Sequence, residues 1–94
     1  MRVRYTAIAV ADLHELASYA HEHLDEGAVR VLVETLREAI EVLIVQFPDV
    51  GRPGRVQGTR DLVLTRTNLV VTYRVEKATI AVLTILRGER DRKI

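Results

Sequence analysis

The sequence predicts an α+β fold in the order β-α-α-β-β-β, with a helical hairpin on one face of an antiparallel sheet. Three observations predict it. An apolar stripe at helical spacing runs from Val29 to Phe47 without a miss. Beyond the Gly51–Arg55 turn sequence the composition changes to β-branched residues. The three segments found there are separated by connections of hairpin length.

The elements follow in order. Residues 2–6 put Val3 and Tyr5 on one side and Arg2, Arg4 and Thr6 on the other, the period of a strand. From Ala7 to Leu24, Leu13, Leu16, Ala17, Ala20 and Leu24 recur at helical spacing, and Thr6 is the N-cap candidate. Asp25-Glu26-Gly27 breaks that pattern and allows a tight turn. Val29, Leu32, Val33, Leu36, Ile40, Leu43, Ile44 and Phe47 then form the core stripe of a second helix, which Pro48 stops. Two amphipathic helices joined by a short turn lie antiparallel. Pro53-Gly54 suits the centre of a type II turn. Asp61–Arg66, Leu69–Val75 and Thr79–Leu86 read as a three-stranded meander. The helices cover one sheet face and leave the other open.

A chain of 94 residues fits one domain, 1–94, and 48% hydrophobic residues are enough for one core. With no Cys there is no disulfide framework, thiolate metal site or thiol nucleophile. No apolar run is long enough to span a bilayer, and no secretory h-region follows Met1, so the expected location is cytoplasmic, without membrane partners. The net charge of +1 hides two opposed halves. Residues 1–47 hold four Arg against eight Asp/Glu, a net of −4; residues 48–94 hold ten Arg/Lys against five Asp/Glu, a net of +5. A basic half suits an acidic partner.

Arg60, Arg74, Arg87 and Arg90 are the candidate cationic surface of the sheet. Arg74 alternates with the core-type Leu69, Val71, Tyr73 and Val75, so it belongs on the open face. Arg60 shares its side of the strand with Leu62 and Leu64, which leaves its orientation open. The planar guanidinium fork grips phosphate or carboxylate bidentately, although an exposed sheet face also carries charge for solubility alone. On the second helix Val31, Val42 and Val45 form another apolar set, opposite the core stripe and beside Glu34, Glu38 and Glu41: a docking strip for a partner or scattered surface residues. His14, His21 and His23 lack supporting ligands at metal spacing, so no metal and no cofactor are expected.

Three stretches carry a family resemblance: Ala11-Asp12-Leu13; Phe47-Pro48-Asp49-Val50-Gly51-Arg52-Pro53-Gly54 with Gly58-Thr59-Arg60-Asp61-Leu62; and Val71-Thr72-Tyr73-Arg74-Val75 with Ile85-Leu86-Arg87-Gly88-Glu89-Arg90. In this order and length they resemble the RelE/ParE toxins of bacterial type II toxin–antitoxin modules. The resemblance implies a helical hairpin packed on a sheet and a cognate antitoxin that wraps the toxin. It implies one of two activities: mRNA cleavage on the ribosome, as in RelE-like members, or inhibition of DNA gyrase, as in ParE-like members. RNA cleavage through the 2′-hydroxyl needs a proton acceptor and a proton donor. Family nucleases often place a His or Tyr near the end of the last strand, where Arg87 stands here. The histidines all lie in the first helix and Tyr73 faces the core; Asp61, Glu89 and Asp91 remain as possible bases, but none has an evident partner, so no catalytic residue is assigned and the ParE-like reading is favoured. A homologue that keeps antitoxin binding without toxicity is the third reading.

Overall fold

The computed structural model describes residues 1–88. Strand β1 (Arg2–Tyr5) leads into helix α1 (Ala7–His23), and helix α2 (Glu26–Arg37) continues directly into a π-helical segment (Glu38–Ile44). Four further strands follow: β2 (Arg52–Pro53), β3 (Arg60–Leu64), β4 (Leu69–Glu76) and β5 (Thr79–Arg87). They form one sheet in the order β1-β5-β4-β3-β2.

Local chemistry sets the helix starts. The Thr6 hydroxyl accepts from the Ala9 N–H at 3.1 Å, as expected of an N-cap, and donates to the Leu83 carbonyl at 3.0 Å. Asp25 caps α2 by accepting from the Ala28 N–H at 2.8 Å. Gly27 therefore sits in the first turn of α2, not in the connection where the sequence reading put it.

The sheet is mixed rather than wholly antiparallel. The meander β3-β4-β5 is antiparallel as expected, but β1 pairs in parallel with β5, Val3 opposite Ile80 and Tyr5 opposite Val82. A parallel pair needs a long crossover, and the helical hairpin supplies it. Two turns also differ from expectation. Arg52–Pro53 is a short edge strand paired with Asp61 and Arg60, a position where proline's missing N–H costs no ladder bond. The positive-φ glycine is Gly58 (φ 88°), not Gly54. Gly54 is required instead by close approach, because a Cβ there would strike the Thr59 hydroxyl. Between β3 and β4 the strand ends at Leu64, so Arg66 lies in the turn, and Asn68 takes the left-handed conformation (φ 58°) that asparagine tolerates.

The core lies between the sheet and both helices. Leu69, Val71, Tyr73, Ile80, Val82 and Ile85 face Leu32, Leu36, Ala39, Ile40 and Ile44. Val33, Leu43 and Phe47, placed in the core stripe by periodicity, are exposed. Val75 is exposed too, at the end of β4.

The β4–β5 ladder shifts register between Thr72 and Tyr73, leaving Leu83 as the extra residue of a bulge. Further along β5, the Asp12 carboxylate on α1 accepts from the Ile85 N–H at 3.0 Å. Asp12→Ala leaves that N–H without its acceptor and is expected to cost about 1–2 kcal/mol. Asp12→Asn keeps an acceptor oxygen and should recover most of the loss, as read by thermal melting.

Among the described residues no helix is long and apolar enough to cross a membrane, and no group of three His, Asp or Glu is placed to hold a metal.

Candidate functional site

Strand register decides which arginines share a face, because directly opposed residues point the same way. Arg60 stands opposite Tyr73, and Arg87 opposite Leu69; both partners are core residues, so both arginines lie on the helix side of the sheet. Arg74 stands opposite Ala81, which is also opposite Arg4 of β1, on the helix-free side. The sheet thus divides the three expected arginines that lie among the described residues. Arg90 lies outside the described residues.

Each arginine has its own setting. Arg60 is a clamp on the loop before β2. Its Nη1 donates to the Gly51 carbonyl at 2.6 Å, and its Nη2 is 3.6 Å from the Asp49 carboxylate. The same loop is held from the core by Tyr73, whose hydroxyl accepts from the Gly51 N–H (2.9 Å) and donates to the Pro48 carbonyl (2.7 Å). Burial pushes the Tyr73 hydroxyl above its ordinary pKa, while the Gly51 N–H and the Arg60 charge oppose the rise. Tyr5 on β1 is raised likewise, by burial and by Glu41.

On the helix-free face, Arg74 is half-buried and makes no ion pair among the described residues. Arg4, which shares its row, pairs with Glu76 at 3.1 Å. Arg52 stands opposite Asp61, whose carboxylate already accepts from the Thr72 hydroxyl at 2.7 Å. A second row on this face is apolar: Val63, Val70 and Leu86 are direct neighbours across three strands, and Val63 and Leu86 are exposed. The face therefore offers a cationic end and an apolar end.

Arg87 belongs to the opposite side. Its guanidinium carbon lies 4.0 Å above the Tyr19 ring, a cation–π stack, and the Tyr19 and His23 rings are 4.6 Å apart. Two hollows meet at this pair. One, of about 380 Å³, is also lined by Asp12, His14 and Glu15. The other, of about 470 Å³, is lined by Leu16, Val31, Leu69 and Arg66. Val42 borders a third hollow, which shares Arg66. Val31 and Val42 thus flank the β3–β4 turn rather than standing away from the sheet, and half-buried Val45 is outside both hollows.

Sequence reasoning missed Arg4 and Arg52 beside Arg74, and Tyr19 and Arg66 beside Arg87. The alternation of residues 2–6 did put Arg4 opposite Val3 and Tyr5, but only strand order reveals that it neighbours Ala81.

Comparison with known proteins bears on the family and the fold. A model of the family described as "ParE toxin of type II toxin-antitoxin system, parDE" matches residues 3–92. The Sinorhizobium fredii protein named "Putative toxin Y4kP" is 32% identical over 90 residues, covering 96% of this chain and 91% of its own. A chain of the chromosomal ParDE toxin–antitoxin system of P. aeruginosa superposes with a TM-score of 0.71 at 30% identity, over 95% of this chain and 97% of the other. The RelBE2 complex of Mycobacterium tuberculosis shares the fold, with a TM-score of 0.66 at 23% identity over 92% and 95% of the two chains. The chain belongs to the ParE toxin family of type II toxin–antitoxin systems.

Proposed function

We propose that this protein is a ParE-like toxin that arrests growth by binding DNA gyrase and is neutralised by a cognate antitoxin. The family match supports the toxin and antitoxin parts of this reading. The observation that favours binding over cutting is the commitment of Tyr73. It is fully buried and its hydroxyl is engaged by both Gly51 and Pro48, so it cannot shuttle protons for a bound substrate. At the end of β5, Arg87 supplies charge and stacking. The helix-free face, with Arg74 at its cationic end and Val63 and Leu86 at its apolar end, is the surface offered to the target.

One observation favours a second reading, the ribosome-dependent mRNA endonuclease. His14 and Glu15, although on α1, line the same hollow as Arg87. A proton acceptor beside a cation is the arrangement such chemistry needs.

Induction of the chain in a bacterium lacking the antitoxin separates the readings. Growth arrest with SOS induction is expected, together with inhibition of supercoiling by purified gyrase. Arg74→Glu should weaken that inhibition by about tenfold, the effect of losing roughly 1.4 kcal/mol of binding. Codon-phased mRNA cuts abolished by His14→Ala would establish the nuclease instead. Antitoxin binding without growth arrest would leave a homologue that has lost toxicity.

A further inference from the structure

We infer that two copies of this chain associate back to back, α2 against α2 and antiparallel, over the groove between the two helices of the hairpin. The inference goes beyond the proposed function and does not depend on the target: it gives a role to a surface which that function leaves unused.

The groove is built by α1 and α2 alone. Leu13, Ala17 and Ala20 of α1 and Val29, Val33 and Leu36 of α2 line a hollow of about 340 Å³, to which no strand contributes. It therefore opens on the side of the hairpin away from the sheet. His21 is the only polar residue lining it. Ala17 is small and exposed, so another helix can approach closely there. Val33 is 56% exposed although it belongs to the regular α-helical part of the chain, before the π segment begins. An open apolar groove beside a charged strip is the pattern of a protein contact.

Charge chooses the occupant. At about 100° per residue, Glu26, Arg37, Arg30 and Glu34 follow Val33 round α2 within about 100° of it. All four are exposed, and none makes an ion pair among the described residues. Their order is self-complementary. Arg30 and Glu34 are centred on Leu32, and Glu26 and Arg37 are centred within about half a residue of it, or about 0.8 Å. A second α2 laid antiparallel about that centre sets Arg30 against Glu34 of the other copy, and Glu26 against Arg37, each contact occurring twice by symmetry. A parallel pair would set every charge against its own like. The antiparallel axis also brings the two Val33 side chains to within about 3 Å of one another along the helix direction, so both leave water. The helix-free face lies on the other side of the sheet and stays open in both copies. The pair therefore presents two such faces directed apart, an arrangement suited to a target with repeated sites.

Sedimentation equilibrium of the purified toxin, free of antitoxin, tests the pairing. The mass is expected to rise from the 10.6 kDa of one chain to twice that value by about 0.1 mM. Val33→Asp should raise the dissociation constant at least about tenfold. Arg30→Glu and Glu34→Arg each oppose like charges at two symmetric contacts, and each should do the same; the double swap restores opposite charges and should return within about threefold of wild type. Arg74→Glu, on the far face, should also stay within about threefold. Val33, Arg30 and Glu34 are exposed, and melting temperatures taken at concentrations where the chain is monomeric confirm that the variants fold. A chain that stays monomeric over the whole range would overturn the inference. So would a dimer that Val33→Asp leaves within threefold, since the contact would then lie elsewhere. Failure of the double swap to recover association would overturn the antiparallel pairing.

Discussion

Tyr73→Phe is expected to destabilise the protein by about 2–3 kcal/mol although it removes one oxygen. The side chain is fully buried, and its hydroxyl links β4 to the segment after the second helix through two hydrogen bonds. Removing it strands the Gly51 N–H and the Pro48 carbonyl, and an orphaned buried group costs about 1–3 kcal/mol. For a domain of this size that loss lowers the melting temperature by roughly 10–20 °C. Gly51→Ala attacks the same junction from the other side. Its Cβ would lie 2.9 Å from the Tyr73 hydroxyl and 3.0 Å from the Asp61 carbonyl oxygen, and the latter is backbone that cannot swing away. Because both changes break one network, the double variant should cost less than the sum of the two singles.

The same hydroxyl gives the alkaline limb of stability. Its folded pKa lies above the ordinary value of 10.0, so the native state keeps a proton that the unfolded chain has already lost. Stability is complete below pH 10 and falls as pH rises through the raised value. Tyr5 contributes in the same direction, so Tyr73→Phe should reduce that slope without abolishing it. Denaturant midpoints measured between pH 9 and 11 read the difference; an unchanged slope would remove Tyr73 from this role.

Element order was legible in the sequence because periodicity and turn chemistry are local. Thr6 as a cap, the meander, and the core side of Leu69, Val71 and Tyr73 all follow from spacing alone. Pairing was less legible. Nothing local in residues 2–6 says that β1 runs parallel to β5, or that a two-residue edge strand forms at Arg52–Pro53. The basic surface suffered most, because its geometry depends on those pairings. Arg60 and Arg87 alternate as sheet residues should, yet register turns both to the helix side, where one clamps a loop and the other stacks on α1. The charge asymmetry of the two halves says which part of the chain carries the basic residues, but not how the sheet divides them.

Ile44→Ala should cost about 3–4 kcal/mol, whereas Phe47→Ala should cost no more than about 1, although periodicity treats both as core. In a regular α-helix, residues four apart advance by about 40°, so Leu32, Leu36, Ile40 and Ile44 would drift by about 120° across three steps. All four are nevertheless buried, Ile44 completely. The π segment accounts for this. Its wider turn rotates the chain less per residue, which reverses the drift where Ile40 and Ile44 must meet the sheet. The residues that depend on strict α geometry lose their place: Leu43 is 36% exposed and Phe47 59%. Truncating Ile44 opens a cavity between helix and sheet, while truncating Phe47 removes a ring already in water. With total stability of roughly 5–15 kcal/mol for such domains, the first change takes a large share of it. Urea unfolding of the two variants decides the matter, and a larger loss for Phe47→Ala would mean that the second helix presents its regular α-helical stripe to the sheet.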